Sequence, residues 1–477
     1  MTIPSPSYSV TLRVMAPTGP RTTTNIVTAV GATGAAVTGI DVVGSTAQGM
    51  VIDVSADAMD NAHVERITAA IDEVDGASVE KVSDATFLAH LGGKLEVTPK
   101  AKLRHREDLS RIYTPGVARV CQAIAADPEN DRRLTIKRNT VAVVTDGTAV
   151  LGLGDIGPAA AMPVMEGKAA LFKRFGGVDA WPVCLDTKDP DEIVRVVKAI
   201  APTYGGINLE DISAPRCFEI ERRLRAELDI PVFHDDQHGT AIVTLAALVN
   251  ALRVVDKRIE DVRIVVSGVG AAGHAVINLL QAQGAKHIVA YGRSGPLRGD
   301  QHYDDPHRAD LARTTNAERI SGTLREGLAG ADVFIGVSSS NILDGEDIAT
   351  MAPNSIVFAM ANPDPEVDPI AAAQHAAVVA TGRSDYPNQI NNVLAFPGLF
   401  RGLLDAGARR ITDGTMRAAA LALAGVVKSE ELNPNFIVPS IFNPEVAEVV
   451  AESVAQEVRR DPGGAQEVHP LTHIQAV

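Results

Sequence analysis

Hydrophobic and polar positions follow one rhythm over roughly the first eighty residues and another from about residue 140. In the first stretch, SVTLRVMA (9–16) alternates as a strand does, and NIVTAVGATG (25–34) has helical spacing before a glycine stop. VTGIDVVGS (37–45) and GMVIDVSA (49–56) predict two more strands joined by a turn. HVERITAAIDEV (63–74) reads as an amphipathic helix and SVEKVSDATF (78–87) as a closing strand. The order β-α-β-β-α-β is the split, ferredoxin-like arrangement, expected over residues 1–90.

From about residue 140, short apolar runs alternate with helical segments, the pattern of a parallel α/β protein. NTVAVVTD, WPVCLD, GGINLED and IPVFHDD supply a first strand series; VRIVVSGVG, HIVAYG, DVFIGVS, IVFAMAN and AAVVATG supply a second. DPHRADLARTTN (305–316) is polar enough to be expected as a surface excursion. Residues 394–477 are helix-rich and punctuated by proline, and are expected to pack on both preceding domains.

The glycine pattern G-x-G-x-x-G occurs twice, as GLGDIG (152–157) and GVGAAG (268–273). Context separates them. The second follows the strand VRIVVS, opens the proline-free helix AAGHAVINLLQAQG and leads to the strand HIVAYG, a complete β-α-β unit. Gly268 permits the tight turn, Gly270 the approach of a pyrophosphate and Gly273 close helix–strand packing. After the first pattern, Pro158 and Pro163 are expected to prevent a comparable uninterrupted helix. Residues 238–393 are thus expected to form a Rossmann-type NAD(P)-binding domain. The strand HIVAYG ends in Arg293 and Ser294, with no acid to accept a ribose hydroxyl. These two residues suit a 2′-phosphate, so NADP is the expected preference, with NAD as the alternative.

The stretch FHDDQHGTAIV (233–243) permits two chemistries. On a helix, His234 and His238 would share a face, as in zinc hydrolases. The strand-like IPVF before them argues instead for a strand end, and the hydrolases' glutamate is missing. Glu210-Asp211 and Asp235-Asp236 then end two strands one β-α-β step apart. Neighbouring parallel strands bring both pairs to one rim. Crowded carboxylates repel unless a cation joins them, and oxygen ligands suit Mg²⁺ or Mn²⁺.

Charge and composition narrow the partners. The 477 residues carry a net charge of -15, which argues against nucleic acid and polybasic membrane contacts. Cys121, Cys184 and Cys217 suggest neither a disulfide framework nor a thiolate metal site. With neither a signal-like N-terminus nor an apolar run long enough to span a bilayer, the expected compartment is cytoplasmic.

In order along the chain, YTPGV (113–117), LGLGDIG (151–157), EGKAALF (166–172), NLEDI (208–212), FHDDQHGTA (233–241), GVGAAG (268–273), ANPDPE (361–366) and NNVLAFPG (391–398) resemble the malic enzymes of the short bacterial type. The N-terminal segment resembles the ACT domain that some members carry. The resemblance implies oxidative decarboxylation of L-malate to pyruvate and CO₂ with reduction of NAD(P)⁺; a homodimer or homotetramer is expected because closed two-fold oligomers are the default for soluble enzymes. It places the catalytic and metal domain at 91–237, with Glu210, Asp211 and Asp236 as metal ligands. Lys168 falls at the position of the general base and Tyr113 at that of the proton donor. Asn362 falls at a cofactor-positioning site, and Asn392, with Asn391 beside it, at a substrate-binding one. The arginine that larger relatives use for the substrate carboxylate is replaced here by Ala149 and Val150. A small-molecule effector at the ACT-like domain is a further implied partner. Two other readings stay open at this point: a metal-independent amino-acid dehydrogenase, and a catalytically silent metabolite sensor.

Overall fold

The structure is a computed structural model that describes residues 4–46, 49–150 and 152–461. It divides into two compact units, Met1–Val97 and Thr98–Val477.

The first unit runs β1 (Ser5–Ala16), α1 (Thr22–Ala32), β2 (Ala36–Ser45), β3 (Met50–Ala58), α2 (Asn61–Asp72), β4 (Ser78–Asp84). Its sheet has the order β2-β3-β1-β4 with antiparallel neighbours, the ferredoxin-like topology. Strand alternation sends Leu12, Val14, Ile52 and Val54 into one core with Ile26, Val30, Ile67 and Ile71 from the two helices. The closing strand ends earlier than its pattern suggested. Asp84 caps a short helix, α3 (Ala85–His90), by accepting the Phe87 N–H at 3.0 Å. An aspartate that can satisfy a helix N-terminus here outweighs the strand propensity of Thr86 and Phe87.

The second unit opens with α4 (Arg106–Ile112), α5 (Val117–Ala126) and α6 (Asn130–Leu134), none of which contains a fully buried residue. Then follow β5 (Thr140–Thr145), α7 (Pro158–Gly176), β6 (Asp179–Cys184), α8 (Pro190–Ile200), β7 (Gly206–Leu209), α9 (Arg216–Glu227) and β8 (Val232–His234). These strands form a parallel sheet of order β6-β5-β7-β8. Every residue of β5, β7 and β8 is buried, which is why they read as unbroken apolar runs.

After α10 (Thr240–Val254) the alternation resumes: β9 (Arg263–Ser267), α11 (Ala271–Ala282), β10 (His287–Gly292), β11 (Gly295–Pro296), α12 (Pro306–Thr314), α13 (Leu324–Leu328), β12 (Val333–Gly336), α14 (Gly345–Ala349), β13 (Ile356–Ala359), α15 (Pro369–Ala372) and β14 (Val378–Thr381). The sheet order is β11-β10-β9-β12-β13-β14, parallel except where β11 turns back on β10. The order reverses beside β9, which is where a doubly wound sheet takes its ligand. Three helices complete the described chain: α16 (Phe396–Asp405), α17 (Asp413–Val426) and α18 (Glu445–Arg460). Residues 462–477 of the expected C-terminal helical segment lie outside the described residues. Among the described residues, no helix is long and apolar enough to cross a membrane.

Two expectations are corrected. Pro158 and Pro163 do not interrupt the helix after GLGDIG, because α7 runs on for 19 residues. Pro158 sits in the first turn, where an N–H would have no partner, and Pro163 removes only one interior donor. Packing supplies the compensation: Phe172 of α7 lies 4.6 Å from the Phe396 ring and 5.3 Å from that of Phe400. The polar stretch at 305–316 is likewise not a bare excursion. Asp305 accepts the His307 N–H at 2.9 Å to start α12, which buries Leu311 and Ala312.

Candidate active site

The acidic pairs close two adjacent strands. Leu209 of β7 pairs with His234 of β8, so Glu210-Asp211 and Asp235-Asp236 emerge side by side at the carboxyl ends. Asp211 adopts φ 54°, a left-handed conformation that turns the chain sharply there. Its N–H donates to Asp236 Oδ2 at 2.9 Å, tying one loop to the other. Residues 235–239 form a single π-helical turn before α10 begins. His234 therefore ends a strand while His238 lies in the turn, and no helix face unites them. Gly239 lets this turn fold tightly, since a Cβ there would collide with Asp235 Oδ1.

One ligand oxygen from each of Glu210, Asp211 and Asp236 lies within 4.8 Å of the others. The zinc-hydrolase reading finds no support in this geometry, and the carboxylate reading does. Burial raises the Glu210 carboxyl well above the ordinary carboxylate range, against the pull of Lys168. Burial and then the Asp236 charge push Asp211 up to about 7. Asp211 Oδ2 is buried without a hydrogen-bond partner. Three oxygen donors, one unpartnered and two of the carboxyls reluctant to ionise, fit a hard divalent cation.

Lys168 joins this cluster from α7. Its ammonium lies 2.6 Å from Asp235 Oδ2 and 2.9 Å from Glu210 Oε1, with 10% of the side chain exposed. The Phe396 ring centroid is 4.2 Å from Nζ. Burial works to lower its pKa, but Asp235 and Glu210 prevail and hold it above the usual lysine value. The lowered pKa expected for a base is thus not a property of the protein groups alone. Asn392 Nδ2 donates to Asp235 Oδ2 at 3.0 Å, so Asp235 links Lys168 to Asn392. The neighbouring Asn391 is turned to local use, its side chain accepting the Val393 N–H at 3.0 Å.

The glycine turn sits close by, because the π turn packs against α11. Gly268 has φ 106°, and a Cβ on it would lie 2.5 Å from the Val337 carbonyl oxygen. A Cβ on Gly273 would collide with the Gly268 carbonyl, whereas Gly270 has nothing within 4 Å of the corresponding point. Two glycines are thus required by packing, and the third leaves room for a phosphate group. Arg293 and Ser294 are exposed at the turn between β10 and β11. Asn362, also exposed, follows β13, with its backbone oxygen beside Gly152 of the first glycine loop and its side chain beside Gly382.

Tyr113 stands apart from this group: it is 67% exposed, at the end of α4. Sequence reasoning counted Asp235 only as one of an acidic pair and missed its bonds to Lys168 and Asn392, which hold it 1% exposed. It also missed Arg216, whose Nη2 lies 3.0 Å from Asp146 Oδ2 and 3.1 Å from Thr148 Oγ1, beside the first glycine loop. A cleft of about 660 Å³ bordered by Phe218, Glu221, Gln237, His238, His274 and His307 does not include the carboxylate triad.

Residues 92–225 match the model of the malic enzyme N-terminal domain, and residues 237–460 that of the malic enzyme NAD-binding domain. An NAD-dependent malic enzyme of Geobacillus stearothermophilus is 57% identical, over 91% of this chain and 91% of that protein. The chain belongs to the malic enzyme family. A bifunctional malic/malolactic enzyme of Bacillus subtilis (strain 168) is 51% identical, over 76% of this chain and 89% of its own length. The crystal structure of a malic enzyme from Pyrococcus horikoshii shares 50% identity and superposes with a TM-score of 0.75, covering 78% of this chain and 88% of that one. Family membership and a Rossmann-type NAD-binding domain bear out the resemblance read from the motifs.

The carboxylate cluster makes stability depend on pH in a stated direction. Asp211, held at about 7 against an ordinary 3.8, keeps in the folded state a proton that the unfolded chain releases. In chelator, this group's contribution should therefore decline as pH rises from about 4 to 7, and a cation should offset the decline. Thermal melts with and without Mn²⁺ check this: the Mn²⁺-induced rise in Tm should be larger near pH 7.5 than near pH 5. An equal rise at both pH values would contradict it.

Proposed function

We infer that this chain catalyses the oxidative decarboxylation of L-malate to pyruvate and CO₂, reducing NAD(P)⁺. The observation that carries the reading is the meeting of Glu210, Asp211 and Asp236 around one point, with Lys168 bonded to the first of them. A metal-independent amino-acid dehydrogenase would have no use for a buried acidic triad, and a silent sensor none for a lysine held against it.

When bound, a divalent cation at the triad supplies Lewis acidity and NAD(P)⁺ at the GVGAAG turn supplies a hydride acceptor. The chain's own groups do the rest. Hydride leaves C2 only as the hydroxyl loses its proton, and we assign Lys168 Nζ to receive it. Asp235, itself held by Asn392, fixes the amine in place. Glu210 presently stabilises the ammonium; once its charge is shared with a cation, burial favours the neutral amine that a base requires. Asn362, at the mouth of the first glycine loop, is assigned to the nicotinamide end of the cofactor. After CO₂ departs, the C3 carbon needs a proton, and Tyr113 is the assigned donor.

Tyr113 lies where α4 to α6 bury nothing fully, and Leu109, Ile112 and, just past α6, Ile136 are exposed. Homo-oligomerisation that covers this arm is therefore part of the proposal. The N-terminal unit, with its ferredoxin-like topology and no acidic metal cluster among its described residues, is proposed as an ACT-like domain that binds a small-molecule effector. The exposed Arg293 is proposed to receive a 2′-phosphate, making NADP the preferred nucleotide.

Lys168→Ala should lower kcat for malate oxidation by about 10²–10⁴-fold in a chain that still folds and binds Mn²⁺, with a lower melting temperature in chelator because Asp235 and Glu210 lose their counter-charge. Turnover near the unsubstituted rate would remove Lys168 from the chemistry. Arg293→Ala should reduce kcat/KM for NADP selectively. A higher specificity constant for NAD in the unsubstituted protein would overturn the nucleotide preference.

A further inference from the structure

One buried carboxylate stands behind the carboxyl ends of the second sheet and takes no part in the chemistry assigned above. Glu366, in the loop after β13, is 0% exposed. Its Oε1 accepts the Ser338 N–H at 2.8 Å and lies 3.3 Å from the Ser338 hydroxyl. Its Oε2 accepts the Ala361 N–H at 3.0 Å. Ser338 belongs to the loop after β12, Ala361 to the loop after β13. These donors are neutral, and burial raises the carboxyl above its ordinary range against the pull of the N–H groups.

The chain is shaped to admit this side chain. Gly336 closes β12, and a Cβ on it would collide with the Glu366 carboxyl carbon. Two backbone bonds fasten the same loops further along. The Leu343 N–H donates to the Glu366 carbonyl at 3.0 Å and the Asn341 N–H to that of Pro365 at 2.9 Å. The Ser338 hydroxyl also lies 2.9 Å from that of Ser267, the residue that enters the GVGAAG turn. A carboxylate has two acceptor oxygens and serves both loops at once, which a single amide cannot do.

The position says what the arrangement serves. β12 and β13 lie beyond β9 on the side away from β10. A dinucleotide with its pyrophosphate at the turn after β9 and its adenosine half over β10 lays its nicotinamide half over the loops after β12 and β13. Ser338 and Asn362 are exposed there, one in each loop. Glu366 holds Ser338 and the residue before Asn362 from behind.

We propose that Glu366 is a positioning residue for the nicotinamide half of the cofactor, tying the loop that carries Ser338 to the loop that carries Asn362. The proposal rests on the reading that this chain oxidises malate with NAD(P)⁺.

Glu366→Gln conserves volume but offers an acceptor to one loop only and sets an NH₂ group against the N–H of the other. The test pairs equilibrium binding with kinetics on the full chain. NAD⁺ and NADP⁺ are titrated beside ADP-ribose and its 2′-phosphate, which lack the nicotinamide ring. Glu366→Gln should raise the dissociation constant of the preferred dinucleotide by about tenfold. That of the matching ADP-ribose should stay within about twofold. With malate deuterated at C2, kcat should fall by about 10–100-fold and its isotope effect should grow, because a misplaced nicotinamide slows hydride transfer itself. Ser338→Ala removes one of the three donors at an exposed position and decides the matter if Glu366→Gln does not fold. The same split is expected of it, with kcat lowered about two- to tenfold. Unchanged NAD(P)⁺ affinity and isotope effect in the folded variant overturn the proposal. An equal loss of ADP-ribose affinity also overturns it, since the whole nucleotide domain would then have loosened. An unsubstituted protein that binds NAD(P)⁺ but leaves malate unoxidised would instead overturn the reading of the reaction, and the paired titrations would still decide for or against Glu366.

Discussion

Mutual repulsion among buried carboxylates organises this protein. Four acidic side chains, those of Glu210, Asp211, Asp235 and Asp236, leave two neighbouring strands at the same level and cannot spread apart. The fold relieves the crowding in two ways. Asp235 and Glu210 share the Lys168 ammonium, whereas Asp236 receives the Asp211 N–H and the His234 edge. What is left over, including an unpartnered oxygen on Asp211, is a demand for a small, hard cation. In the proposed function the reaction would use that demand, because a cation held at this point would chelate an α-hydroxy acid.

The architecture delivers the second reactant to the same place. The π turn that carries Asp235 and Asp236 packs against α11, the helix opened by the GVGAAG turn. The acidic cluster and the glycine fingerprint are thus two faces of one contact. From the far side, α16 places Phe396 under Lys168 and packs Phe400 against Phe172 of α7. Lys168, Glu210 and Asp235 are each set by an element whose own burial fixes it, which gives a rigid cluster on a loop-rich rim.

Much of this was legible in the sequence, for identifiable reasons. Buried parallel strands announce themselves as short apolar runs, and the glycine fingerprint specified its own turn. The acidic pairs were readable because strand ends converge whenever parallel strands are neighbours. That Asp236, and not Asp235, gathers with Glu210 and Asp211 was not readable from spacing, since it depends on a π turn and on the φ of Asp211. The Glu366 carboxylate joins the loop after β12 to the loop after β13, a juxtaposition that no local pattern encodes. Prolines misled in α7, where aromatic packing against α16 outweighs one lost backbone bond. Asp84 and Asp305 misled differently: Asp84 caps a helix of only six residues that follows directly on a strand, and Asp305 one whose apolar content was too small to signal it.

The most direct test is anomalous diffraction from crystals grown with Mn²⁺ and an unreactive analogue of malate. The account predicts one strong anomalous peak within about 2.0–2.6 Å of oxygens from Glu210, Asp211 and Asp236, with Lys168 facing the analogue's hydroxyl. A peak elsewhere, or the three carboxylates turned to separate surroundings with the analogue bound away from them, would contradict it.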